Sequence, residues 1–173
     1  MKLMSTKSMN MTLENSNSKT YLELLDGRTE ELHFQQAAPT QFTVNDSEFS
    51  LKSGIKVELE IKNVNLVATS KTIWPGATIS VTGGLEGQDE TMKASATIPF
   101  NRTMADGVQG ESFLYWVLET PEGKFHNKKP IHMIGVLKGL PPKDATFYSE
   151  SVIPLYDEQD NQVGTIYGCL QSN

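Results

Sequence analysis

The chain has 173 residues, 38% of them apolar and 21% charged, with a formal net charge of -6, a composition that supports one globular domain and excludes wholesale disorder. Fifteen Lys and Arg stand against twenty-one Asp and Glu without a basic cluster, so neither a nucleic acid nor an anionic membrane surface is an expected partner. Cys169 is the single cysteine, which excludes an internal disulfide and a cysteine-built zinc cage.

Residues 1–19 are polar, Met-rich and without periodicity. They read as a polar N-terminal arm ahead of a single β domain over residues 20–173. The arm lacks the apolar segment of a secretory signal, and no apolar run is long enough for a transmembrane helix, so the expected setting is cytoplasmic. Next, Tyr21–Leu25 and Glu31–Gln35 flank Asp26-Gly27-Arg28. Asp-Gly between two apolar runs supplies the positive φ of a tight hairpin turn. Between Ala37 and Ser53, Pro39 and Asn45-Asp46 leave two short edge-strand candidates, Phe42–Val44 and Phe49–Leu51. From Gly54 the alternation is clean: Ile55, Val57, Leu59 and Ile61 against Lys56, Glu58, Glu60 and Lys62, a strand with one buried and one solvated face. Val64–Ala68 supplies another strand, and Trp74-Pro75-Gly76 a turn.

From Ile79 onward the sequence echoes itself. Ile79, Gly83, Leu85, Gly87, Thr91, Ile98 and Pro99 recur in order as Ile131, Gly135, Leu137, Gly139, Thr146, Ile153 and Pro154. Residues 79–118 and 131–170 are therefore expected to form two three-stranded meanders. In the first, Ile79–Val81 leads through Gly83-Gly84 and a turn over Glu86–Glu90 to its partner strand Met92–Phe100, and Phe113–Leu118 follows. In the second the strands are Ile131–Leu137, Phe147–Tyr156 and Val163–Leu170. Strands every ten to fifteen residues without a helical period indicate an all-β fold: an antiparallel β-sandwich or a small β-barrel built from consecutive meanders.

No chemically specific motif accompanies this architecture. His33, His126 and His132 lie on separate strands or turns without metal-ligand spacing, and neither a metal nor a cofactor is expected. A nucleophile elbow is absent, and the glycine-rich Gly83–Gly87 stretch carries no lysine and opens no helix. Cys169 reads as a small core residue. Tyr115 and Trp116 on one strand and His132 on another are the candidate ligand-binding residues, because aromatic rings with polar tips line small-molecule pockets.

Two functional readings follow. The first is a non-enzymatic module acting through its surface, in a homo-oligomer or with a protein partner, its arm docking on a neighbour and its edge strands open to pairing. The second is a small closed barrel that binds, isomerises or cyclises a small apolar molecule, with Tyr115, Trp116 and His132 pointing inward.

Overall fold

The computed structural model describes residues 2–3, 9–14, 16–51, 54–83 and 91–173, with residues 2–3 and 45–50 as backbone only. Residues 84–90, where the first echoed turn is expected, lie outside this set. The strands are β1 (Lys2–Leu3), β2 (Met9–Leu13), β3 (Asn17–Leu24), β4 (Thr29–Gln36), β5 (Thr40–Ser50), β6 (Gly54–Lys62), β7 (Val64–Thr69) and β8 (Thr78–Gly83). They continue as β9 (Met92–Ile98), β10 (Val108–Leu114), β11 (Val117–Thr120), β12 (Gly123–Asn127), β13 (Ile131–Leu137), β14 (Thr146–Tyr148), β15 (Ile153–Tyr156) and β16 (Gln162–Ser172). One 3-10 turn, Met104–Asp106, interrupts them. Among the described residues no helix is long and apolar enough to cross a membrane.

The strands are used two at a time. β3–β4, β7–β8, β11–β12 and β15–β16 are antiparallel hairpins. Joined side by side, they close into an eight-stranded antiparallel barrel in which β16 pairs with β3 across the final seam. The intervening hairpins, β5–β6, β9–β10 and β13–β14, form a second sheet in the order β5-β6-β9-β10-β13-β14. The chain thus crosses between the two sheets after every hairpin.

This alternation corrects the expected first meander. β8 pairs with β7 and β11 in the barrel, whereas β9 pairs with β6 and β10 in the second sheet. A six-residue alternating strand specifies a buried face but not which sheet receives it. The arm is corrected as well. β2 pairs with β5 from Met9↔Val44 to Leu13↔Thr40 and buries Leu13, so the body begins ahead of residue 20. β5 itself runs as one strand through Phe42–Val44 and on to Ser50, leaving only Leu51 of the second proposed edge piece outside it.

The closed barrel is solid. Leu22, Ile79, Val81, Leu118, Ile153, Leu155 and Ile166 are all 0% exposed, and side chains fill the interior as eight strands permit. Burial of each such side chain contributes about 1.5–3 kcal/mol. The Asp26-Gly27 turn forms as the sequence predicts, with Gly27 at φ 90° and its amide donating to Leu24 O at 2.9 Å.

One end of the barrel is plugged by the loop of residues 70–77. β7 ends at Thr69, so on the edge away from β3 the first half of β4 runs beside this loop rather than beside a strand. Glu30, on the buried face of β4, replaces the missing ladder. Its carboxylate accepts from Lys71 N at 2.9 Å, Ile73 N at 3.1 Å, Ser70 Oγ at 3.1 Å and also Thr72 N. Burial pushes the Glu30 pKa up, but the hydrogen bonds from Thr72, Ile73, Ser70 and Lys71 outweigh it and hold the carboxyl below the usual range. Stability from a depressed carboxyl is present at neutral pH and disappears as pH falls from the ordinary value of 4.5 through the folded pKa. E30Q is expected to cost about 2 kcal/mol at pH 7. Denaturant titrations should show the gap to wild type narrowing at pH 3.

Candidate functional site

The second sheet curls back toward its own beginning. β14 pairs with the end of β16 from Thr146↔Ser172 to Tyr148↔Leu170, and that half of β16 pairs with Asn17–Lys19 of β3. β3 leads back through Ser16 to β2 at the opposite edge. Gln36 holds this corner: its Oε1 accepts from Ser16 N at 3.1 Å, while its Nε2 donates to Leu13 O at 3.0 Å and Thr40 Oγ1 at 3.1 Å.

The curled sheet encloses a cavity of about 80 Å³, several times the space one water requires. Its lining includes Leu13, Phe42, Leu59, Ile61, Leu114 and Phe147. The hollow follows from residue size. Across the wall the inward row Leu59–Ala94–Ser112–Met133 lies beside the row Val57–Ala96–Gly110–Gly135–Phe147. Where the barrel carries Leu, Ile and Val, this wall carries Ala94, Ala96 and Ser112 at the cavity, and Gly110 and Gly135 beneath Phe147.

Phe147 lies over the two glycines. A Cβ on Gly135 would stand 2.5 Å from Thr146 O and 2.6 Å from Phe147 Cδ1, against backbone and a ring that cannot yield. A Cβ on Gly110 would meet Leu137 Cδ2 at 2.5 Å, the free end of a side chain with other rotamers. Urea titration should therefore separate the two substitutions, G135A costing about 3 kcal/mol and G110A about 1 kcal/mol.

Trp116 forms the end of the cavity nearest the barrel. The expected continuous strand Phe113–Leu118 breaks at Tyr115-Trp116, because β10 belongs to the second sheet and β11 to the barrel. Buried Asn127 bridges the break. Its Oδ1 accepts from Trp116 N at 2.7 Å, and its Nδ2 donates to Leu114 O at 3.0 Å and Lys129 O at 2.8 Å. The Trp116 ring is 3% exposed, lines the cavity and meets Phe34 of the barrel edge-on, with ring centroids 6.4 Å apart. N127A leaves two buried backbone groups, Trp116 N and Leu114 O, unpaired and should lower thermal and denaturant stability by about 3 kcal/mol.

Tyr115 is half-buried against the core beside the same break. His132, expected to point inward, instead lies on the outer face of β13. Ile131, Met133, Gly135 and Leu137 occupy the buried face, so alternation turns His132 out, where it stacks on Phe113 at 4.6 Å. Its Nε2 lies 2.8 Å from Glu111 Oε2. Of the three candidates, Trp116 alone lines the cavity. Among the described residues no group of three or more His, Cys, Asp or Glu could hold a metal ion.

Sequence reasoning missed the residues that make the cavity. The signal was present in Ala94-Ser95-Ala96 inside β9 and in Ser112 on β10, but which way they face depends on the pairing. It also missed Gln171, whose Nε2 donates to Ser16 Oγ at 2.9 Å and to Asn173 Oδ1 at 3.5 Å along the opposite wall. Gln171 faces inward because β16 carries a bulge at Gly168.

These features define a closed antiparallel barrel with a curled second sheet around an apolar cavity. The solved structure of DynF, from the dynemicin biosynthesis pathway of Micromonospora chersina, shares this fold. It superimposes with a TM-score of 0.74 at 14% sequence identity, covering 97% of this chain and 84% of DynF. No protein-family model matches the sequence, and no curated protein matches it.

Proposed function

We propose that the protein binds a small, largely apolar molecule in the cavity of its second sheet. This is the second of the two readings drawn from the sequence, moved from the closed barrel, which is filled, to the sheet beside it. The observation that carries it is the stretch of wall at Ala94, Ala96 and Ser112, where small residues leave room inside an otherwise bulky apolar shell. A concave, mostly apolar site with a few polar groups is the usual form of a small-molecule pocket. Apart from Glu111, the polar side chains on the lining, Ser16, Thr40, Ser95, Ser112, Gln171 and Asn173, are neutral. Glu111 also borders the cavity, but its carboxylate is engaged by His132. Neutral groups suit holding and orienting a ligand better than acid–base chemistry. The likeness in fold to a protein of a small-molecule biosynthesis pathway agrees with this reading.

Isobutene, small enough for a cavity of about 80 Å³, serves as the probe. Its titration, followed by NMR, should give saturable shifts of the Ala94, Ala96 and Leu114 methyl resonances. A94L should weaken binding at least about tenfold while the overpacking costs about 1–3 kcal/mol of stability. Wild-type protein without saturable shifts, or A94L that binds as well as wild type, would overturn the proposal.

A further inference from the structure

Resting on that reading, we infer that Phe147 sets the size of the ligand, admitting a compact aliphatic group and excluding a ring. Phe147 lines the cavity and is buried. Its register neighbour on β13 is Gly135, and beyond that, on β10, stands Gly110. Where Gly135 would carry a Cβ, Phe147 Cδ1 and Cγ stand 2.6 and 2.9 Å away, and Cε1 stands 3.6 Å from the same point on Gly110. One edge of the ring therefore runs along bare backbone, an aromatic side chain covering glycines across the strands. The ring occupies the space that two side chains would otherwise share, and the hollow begins beside it.

This placement gives Phe147 a control over volume that another bulky lining residue, Phe42, lacks. In register Phe42 stands between Met11 and Ile61, and all three line the cavity. When the Phe42 ring is removed, the flexible Met11 side chain and its neighbour Ile61 can relax into the gap. When the Phe147 ring is removed, Gly135 and Gly110 have no side chain to send in. Its neighbour on the other side, Gln171, is held by the hydrogen bonds from its Nε2 to Ser16 and Asn173. How far a site collapses decides how much of a truncation survives as open space, so at Phe147 nearly the whole ring should be added to the cavity. The present hollow of about 80 Å³ is smaller than the roughly 150 Å³ of an apolar cavity that takes benzene. It suits a group the size of isobutene, and the Phe147 ring withholds the remainder.

Isobutene and benzene test this, with binding read from the Ala94, Ala96 and Leu114 methyl resonances. Wild type should bind isobutene at least about tenfold more tightly than benzene. F147A should bind benzene at least about tenfold more tightly than wild type does, whereas F42A should gain less than about threefold. F147L, whose side chain covers Gly135 without reaching Gly110, should gain at least about threefold and carries the test where F147A fails to fold. Wild type that takes benzene as tightly as isobutene, Phe147 variants that gain nothing, or F42A that gains as much as they do would overturn the assignment to Phe147 and leave the cavity reading standing. Failure of wild type to bind either probe would overturn both.

Discussion

The pairing of β16 with β3 is the constraint on which the rest of the structure depends. These strands lie near opposite ends of the chain, yet their ladder closes the barrel and supplies the second sheet with its returning edge. One strand serves both because of a single extra residue. Between Tyr167↔Tyr21 and Leu170↔Lys19 the register slips at Gly168, whose φ of 61° is a conformation that favours glycine. A Cβ there would stand 3.0 Å from the Tyr21 ring. Before the bulge Ile166 points into the barrel. After it Cys169 and Gln171 take the inward positions, Cys169 Sγ meeting Thr20 Oγ1 at 2.8 Å. Without the bulge the inward face would fall on residues 168 and 170, and the polar rail of Gln171 would turn to solvent.

The two halves use the same backbone logic for opposite ends. In the barrel, inward positions carry branched aliphatic side chains that fill the interior. In the second sheet the corresponding positions shrink to Ala, Gly and Ser, forgoing about 0.8 kcal/mol for each methylene left unburied. The barrel offsets that loss with its packed interior, the plug that Glu30 anchors at one end, and the Asn127 bridge at the other. Trp116 sits where the two regimes meet. Its ring packs against Phe34 on the barrel side and bounds the hollow on the other, so the rigid body of the fold presents a fixed surface to whatever occupies the cavity.

The unequal legibility of the chain follows from the range of each interaction. Ile55–Lys62, Tyr21–Leu25 and Asp26-Gly27 could be read directly, because alternation and turn chemistry act over a few residues. The echo of residues 79–118 in 131–170 suggested matching meanders, but Ile79 and Met92 enter different sheets. Both sheets ask the same alternation of a strand. Trp116 could be singled out as an aromatic residue with a polar tip, and His132 by the same argument. They part company because β13 turns His132 outward toward Glu111, a matter of pairing parity that the residue types do not carry.

By itself, then, the amino-acid sequence determined that this protein is all-β and antiparallel, where most of its strands lie and which face of each is apolar, since those properties are local. Only the tertiary structure decided that successive hairpins alternate between two sheets, that the closed barrel is the solid part, and that Ala94, Ala96, Gly110, Ser112 and Gly135 converge on one wall. Of these, Ala94, Ala96 and Ser112 line the cavity, and the hydrogen-bond register between β9 and β10 is what brings their small side chains together.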